Sequence, residues 1–352
     1  MLSNLNTDIL QHILHKKGDF NTLALAVFAY QYQHITSYQR YCQQLNKTPE
    51  NIRRWQEIPA VSTEVFRELP LCTFPPETAR HVFQTSGTSD EIKGKHYYHD
   101  MQLYDAAIQA SFMKNLGLVL KSDTQEIFLQ RSLFRILTPT FQEVSTSSLF
   151  YMFQQVVDWY GDAQSQYYFN NNDLNCEKLV QDLLRDIKEN RPVVLLGTAF
   201  SWVNFFDYLE EHSIRLVLPE SSRLMETGGL KGRTRTVSRE ALYQLFHTQL
   251  GLPLDNCYSE YGMTELSSQC YSLPNTHHFI SPHWMPVQII HPETRCEVAV
   301  GETGLVQFFD LANMTAISAV LTSDLAIKHT EGFELIGRAP KAILRGCSTV
   351  FE

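Results

Sequence analysis

Gln84-Thr85-Ser86-Gly87-Thr88-Ser89-Asp90-Glu91-Ile92-Lys93-Gly94-Lys95 sets four hydroxyl residues around a glycine and follows them with two lysines. A glycine lets backbone N–H groups approach anionic oxygens, the hydroxyls of Thr85, Ser86, Thr88 and Ser89 can donate hydrogen bonds, and Lys93 or Lys95 can neutralise charge. The segment has the composition of a polyphosphate cradle, and equally that of an ordinary solvated turn. It is not a Walker loop, because G-x-x-x-x-G-K-[ST] occurs nowhere in the chain.

The rest of the chain frames that reading. Its 352 residues exceed a usual single domain, and 43% hydrophobic with 19% charged residues fits a folded protein with a large core. A formal charge of −9, with no run of Lys/Arg interleaved with aromatics, argues against nucleic acid as a partner. Met1–Phe20 lacks the continuous apolar stretch of a signal peptide, and no segment approaches the ~20 apolar residues of a membrane span. Cys42, Cys72, Cys176, Cys257, Cys270, Cys296 and Cys347 show no C-x-x-C spacing, which argues against zinc held by cysteines and against a disulfide framework and places the protein in a reducing cytoplasm. His96, His99, His277 and His278 invite a metal reading, but without Cys or acidic partners at ligand spacing they read as surface or core histidines.

Periodicity alternates between helix and strand. Residues 1–57 read as helical, with Leu23, Ala26, Val27 and Tyr30 at three- and four-residue intervals. Prolines 59, 70, 75 and 76 punctuate an extended lead into the hydroxyl-rich segment. Helices are expected over Met101–Leu120, Ser148–Tyr160, Cys176–Asn190, Ser201–Glu211 and Arg239–Leu250, and strands over Glu126–Leu129, Pro192–Leu196 and Ile214–Leu218. That spacing favours an α/β fold with mostly parallel sheets covered by helices. Beyond Phe279, Met285–Ile290, Cys296–Val300 and Leu305–Phe309 read as short strands of a small antiparallel β subdomain. The expected division is a helical region 1–58, an α/β core 59–280, a β subdomain 281–345 and a tail 346–352. Gly228-Gly229 and Lys231-Gly232 break the chain where a doubly wound sheet places ligands. Phe150–Trp159 and Thr198–Phe206 are rich enough in Phe, Trp and Val to wall an apolar pocket, or to be core.

Far downstream of the hydroxyl-rich loop come Tyr258-Ser259-Glu260-Tyr261-Gly262-Met263-Thr264-Glu265, then Leu321-Thr322-Ser323-Asp324, then Ile336-Gly337-Arg338. This order, a hydroxyl loop followed by Y-G-x-T-E, T-x-D and G-R, resembles the adenylate-forming superfamily of acyl-CoA synthetases and luciferase-like ligases. The resemblance implies ATP and Mg2+ as cofactors. It implies Thr85, Ser86, Gly87, Thr88, Ser89 and Lys93 at the phosphates, Glu265 at the metal, and Tyr261 stacked on adenine. Asp324 would then hold the ribose hydroxyls and Arg338 the ribose or phosphate, with Gly228, Gly229, Gly262 and Thr264 completing the nucleotide site. Taken singly, each residue also has a plain structural reading, Tyr261 as core and Arg338 as a surface fork among them.

The chain resembles one branch in particular, the LuxE-type acyl-protein synthetases of bacterial bioluminescence. Thr227-Gly228-Gly229-Leu230-Lys231-Gly232 and the tail Leu344-Arg345-Gly346-Cys347-Ser348 carry that likeness. The branch implies that Cys347, with Arg345 favouring its thiolate, takes an acyl group from the adenylate and passes it to a partner such as an acyl reductase or condensing enzyme. Three positions depart from the wider pattern: Asp90 replaces a glycine after the hydroxyl cluster, Ser323 stands in place of the glycine of T-G-D, and Pro340 replaces the hinge acid. The usual C-terminal domain with its activating lysine is expected to be missing, with Lys231 and Lys341 as candidate replacements. The expected function is ATP-dependent activation of a carboxylic acid, a fatty acid by resemblance. The alternatives are transfer to coenzyme A or an amine, as in phenylacetate–CoA ligases, and a non-catalytic acyl-binding or partner-steering subunit.

Overall fold

The computed structural model describes residues 2–86, 92–117, 119–121, 126–128, 131–170, 173–228 and 237–340. The helices are α1 (Leu2–His15), α2 (Phe20–His34), α3 (Thr36–Gln44), α4 (Gln102–Asn115), α5 (Ser148–Tyr160), α6 (Cys176–Lys188), α7 (Ala199–Glu211) and α8 (Arg239–Leu250). The strands begin with β1 (Val61–Ser62), β2 (His81–Gln84), β3 (Lys95–Tyr98), β4 (Val119–Lys121), β5 (Glu126–Phe128), β6 (Leu133–Leu137), β7 (Gln166–Tyr167), β8 (Phe169–Asn170) and β9 (Asp173–Leu174). They continue with β10 (Val193–Thr198), β11 (Arg223–Thr227), β12 (Cys257–Tyr261), β13 (Cys270–Ser272), β14 (His278–Ile280), β15 (Val287–Ile290), β16 (Thr303–Phe309), β17 (Ala319–Lys328) and β18 (Phe333–Arg338).

Twelve strands share one sheet. Its order is β15-β16-β17-β18-β14-β13-β12-β11-β10-β6-β7, with β1 beside β17. From β12 to β7 every pairing is parallel, and from β12 to β15 every pairing is antiparallel. The parallel half is buried on both faces, as parallel strands require. Along β10, Val193 and Leu195 enter a core with Trp202, Phe205 and Phe206 of α7, whereas Val194 and Leu196 enter another with Phe112 of α4 and Phe153 of α5. Each such side chain contributes roughly 1.5–3 kcal/mol by leaving water. The antiparallel half is covered by α1, α2 and α3, whose Ile9, Ile13, Val27, Phe28 and Tyr38 pack with Phe308, Phe309 and Val320. Buried Gln31 fastens α2 there by donating to Ser318 Oγ at 2.9 Å and to the Asn313 carbonyl at 3.1 Å.

Local signals set several boundaries. Ser147, Asn175, Thr198 and Ser238 cap α5, α6, α7 and α8 with side-chain oxygens, and Gly251 ends α8 in the left-handed region. The expected helices Ser148–Tyr160 and Arg239–Leu250 coincide with α5 and α8.

Two expected strands are absent. Ile214–Leu218 has the composition of a strand, but the Leu216 and Leu218 N–H groups donate to the Gln249 and Leu250 carbonyls at the end of α8. The next sheet position is taken by β11, a strand the periodicity did not mark. Cys296–Val300 contributes only a bridge from Glu297 to Ile290, because the Ala299 N–H is captured by the Glu302 carboxylate and the chain turns at Gly301. Met101–Leu120 also stops short, the helix ending at Asn115. No helix among the described residues is long and apolar enough to cross a membrane.

Candidate active site

The motif residues gather at the C-terminal ends of β11, β12 and β18, on β17 and on the β2–β3 hairpin, where an α/β sheet places ligands. Tyr261 closes β12, and Gly262 leads into the turn that carries Thr264 and Glu265. The Tyr261 hydroxyl donates to Asp324 Oδ2 at 2.7 Å, while its ring lies against Phe279, Phe308 and Phe333. Arg338, four residues beyond Glu334 on β18, sets Nε 3.3 Å from Asp324 Oδ1, with its side chain 62% exposed. Gly228 follows β11 with φ +78°.

The hairpin stem reaches the same place. The Thr85 N–H donates to the Gly94 carbonyl at 3.0 Å, and the Gly94 N–H returns to Thr85 Oγ1 at 2.9 Å. Thr264 ties this stem to the β12 turn by donating Oγ1 to the Gln84 carbonyl at 3.3 Å. A Cβ at Gly94 would lie 3.1 Å from Thr85 Cγ2, 3.5 Å from Arg67 Cγ and 3.6 Å from Glu265 Oε1. Thr85, Arg67 and the Glu265 carboxyl therefore meet around one backbone position that has little room for a side chain. Ser86 and Lys93 flank the loop, both exposed. Gly87, Thr88, Ser89, Asp90, Gly229, Lys231, Lys341 and Cys347 lie outside the described residues.

Burial pushes Glu265 up to about 7, with the charges of Arg67 and Arg338 opposing the rise and Asp324 adding to it. Arg67, from the 3-10 turn Thr63–Arg67, was not singled out from sequence, and no motif marks it.

Neither did sequence reveal the network beneath the Glu265 turn. Asn313 donates Nδ2 to the Glu265 carbonyl at 2.7 Å, and Ser267 donates Oγ to Asn313 Oδ1 at 2.5 Å. Asp310 accepts from the Ser267 N–H at 2.9 Å and from Ser268 Oγ at 2.8 Å. His96 Nδ1 lies 2.9 Å from the Thr264 carbonyl. A carbonyl only accepts, so Nδ1 carries the proton. Burial pushes His96 down to about 4, which keeps the ring neutral. His96 is thus a supporting core histidine.

Two further acids lie buried at the ends of the parallel strands. Glu226 on β11 sits 3.9 Å from Arg239, and Glu260 on β12 accepts from the Thr227 hydroxyl. Burial lifts Glu260 to about 7.

The apolar stretches offered as pocket walls are core. Tyr151, Met152 and Phe153 of α5 and Trp202, Phe205 and Phe206 of α7 belong to cores on opposite faces of the sheet and cannot line one pocket together. Among the described cysteines, Cys42, Cys72, Cys257 and Cys270 are buried, Cys176 is half-buried and Cys296 is exposed.

This fold and this grouping of motifs define an adenylate-forming ligase. A 2-hydroxyisobutyryl-CoA ligase, solved in an open conformation with 2-HIB-AMP and CoA, shares the fold with a TM-score of 0.65 at 14% identity, over 90% of this chain and 74% of that one. A long-chain-fatty-acid-CoA ligase from Archaeoglobus fulgidus matches with a TM-score of 0.52 at 14% identity, over 78% of this chain and 55% of the other. The chain belongs to the LuxE acyl-protein synthetase family, whose model matches residues 14–352. A curated relative, the long-chain-fatty-acid–luciferin-component ligase of Aliivibrio fischeri, is 24% identical over 311 residues, spanning 87% of this chain and 78% of its own length. The protein is accordingly an AMP-forming acid ligase.

Proposed function

We propose that this ligase activates a fatty acid with ATP and Mg2+ and delivers the acyl group through Cys347 to a partner protein. The observation that carries the reading is the meeting of the Thr85–Gly94 stem with Glu265, beside the Tyr261–Asp324–Arg338 linkage. The name of the Aliivibrio relative favours a long-chain acid as substrate.

A carboxylate is a poor electrophile because its leaving group would be oxide. In the first step a carboxylate oxygen bonds to the α-phosphorus of ATP as the bond to the bridging oxygen breaks and pyrophosphate departs, leaving a mixed anhydride whose leaving group is AMP. The protein's task is positioning and charge stabilisation. The hydroxyl loop, Lys93 and Arg67 would face the phosphates, Asp324 the ribose, Tyr261 the adenine, and Arg338 the ribose or α-phosphate. Glu265 fits Mg2+ in kind: it is an oxygen donor whose ionised form burial disfavours, which a nearby divalent charge would reverse. When bound, Mg2+ supplies Lewis-acid neutralisation of the phosphate oxygens.

In the second step the Cys347 thiolate attacks the acyl carbonyl, AMP leaves with the bonding pair, and a thioester forms. An acceptor nucleophile on a partner, an acyl reductase or a condensing enzyme, would then take the acyl group and release the thiolate.

Exchange of labelled pyrophosphate into ATP, run across acids of graded chain length and aromaticity, tests the first step. Long-chain acids should support it, and no exchange with any acid would favour a non-catalytic acyl-binding subunit. A labelled fatty acid should leave a hydroxylamine-labile acyl group on the protein that Cys347→Ser abolishes while exchange persists. Full labelling of Cys347→Ser, or acyl-CoA as the product when coenzyme A is supplied, would remove Cys347 from the pathway.

A further inference from the structure

We propose that His278, His329 and Glu334 form a binding site for a divalent transition-metal ion of the zinc class, separate from the nucleotide site. His278 lies on β14 directly opposite Glu334 on β18, and His329 stands in the turn between β17 and β18. Their ligating atoms all lie within 4.8 Å of one another. His329 Nε2 is 3.4 Å from Glu334 Oε2, and His278 Nε2 is 4.0 Å from the same oxygen. Bonds of about 2.0–2.1 Å in a tetrahedron hold zinc ligands about 3.3 Å apart. The first separation already matches, the second exceeds it by about 0.7 Å, and the two stacked rings must turn toward one another before both nitrogens address one ion.

Backbone geometry builds the arrangement. Gly332 has φ +76°, and a Cβ there would collide with the Phe279 carbonyl oxygen, so only glycine lets the turn press this closely on β14. The His329 N–H closes the turn on the Gly332 carbonyl at 3.2 Å. The His329 ring consequently stacks on His278, with centroids 3.8 Å apart and planes inclined by 28°. Nε2 of His329 is shielded from water and has no hydrogen-bond partner, although it faces a carboxylate oxygen. A metal ion would give that nitrogen a partner and lie against the Glu334 carboxylate in the same contact.

The donor set selects the ion. Two imidazole nitrogens with one carboxylate suit Zn2+ and its transition-metal neighbours, whereas Mg2+ and Ca2+ take oxygen ligands. Three protein ligands leave a fourth position for water or a further donor. An ion here would tie β14 and the β17–β18 turn to β18, the strand that ends in Arg338.

Cobalt(II), a coloured stand-in for zinc, tests the site. Full-length protein stripped with chelator should take up Co2+ with the visible absorption of a nitrogen–oxygen site, and Zn2+ should displace it. His329→Ala and Glu334→Gln should each weaken uptake at least about tenfold, while His99→Ala, an exposed histidine elsewhere, leaves it unchanged. Zn2+ should also raise the thermal midpoint of the wild-type protein and not that of His329→Ala. Absence of uptake, uptake unchanged in His329→Ala, or a thiolate charge-transfer band that vanishes in Cys296→Ser or Cys347→Ser overturns the proposal.

Discussion

Tyr261 and Asp324, 63 positions apart in the chain, are joined by a hydrogen bond of 2.7 Å between the phenolic hydroxyl and Oδ2. With Arg338 at its other oxygen, Asp324 is oriented from both sides.

Tyr261→Phe should therefore weaken ATP binding. A hydrogen bond to a charged group contributes about 1.5–3 kcal/mol, so a tenfold or greater rise in the nucleotide dissociation constant is expected, with the core left folded. Equilibrium nucleotide binding measures it. Wild-type affinity in Tyr261→Phe would mean that the tyrosine plays no part in holding Asp324.

Asn313→Ala should act on Glu265 without touching substrate. Its Nδ2 bonds to the Glu265 and Ile317 carbonyls, and its Oδ1 accepts from Ser267. An unsatisfied buried group costs about 1–3 kcal/mol, so urea denaturation should show a loss of that order. Pyrophosphate exchange should require more Mg2+ for half-saturation. A stability loss with unchanged Mg2+ dependence would make Asn313 a purely structural residue.

The Glu260 carboxyl gives a signed pH dependence. Burial raises it from its ordinary value of 4.5 to about 7, so between those values the folded protein keeps a proton the unfolded chain has released. Its contribution to stability falls as pH rises through that window and is level above about 7. Glu260→Gln retains an acceptor for Thr227 and removes the titration. It should match wild type near pH 4 and exceed it by up to a few kcal/mol near pH 8. Urea midpoints of the two proteins against pH provide the comparison, and a difference that shrinks on going alkaline would reverse the assignment.

Asp186→Asn should be among the most destabilising conservative changes. Asp186 on α6 accepts two bonds from Arg135 on β6, at 2.8 and 2.9 Å, with both side chains buried. Removing one charge strands the other, at roughly 3–5 kcal/mol. Chemical denaturation should register that loss, and replacing both residues with apolar ones should recover part of it. A loss under about 1 kcal/mol would show that water or rearrangement satisfies Arg135.

Much of the architecture could be read from local pattern. Arg239–Leu250 starts after a serine cap and ends before a glycine, and Val193–Leu196 is a continuous apolar run, so each declares its type within a few residues. Ile214–Leu218 misled because composition states only that a segment is extended and apolar. Which carbonyls its N–H groups find depends on where the end of α8 comes to rest. Glu265, Asp324 and Arg338 were legible through the order of short motifs. Arg67, Asn313 and Asp310 were not, because nothing in their immediate sequence records that a distant turn will need a cation or a hydrogen-bond partner.

The amino-acid sequence by itself determined the helix and strand periods, the hydroxyl-rich segment and the succession of motifs that marks an adenylate-forming ligase, all properties carried by residues near one another in the chain. Tertiary structure alone decided that Thr85, Arg67 and Glu265 meet at Gly94, that Tyr261 reaches Asp324, and that His329 stacks on His278 beside Glu334. Those contacts depend on the register of strands from separate parts of the chain. Register is set by the packing of the whole sheet between its helices, which no single stretch of residues specifies.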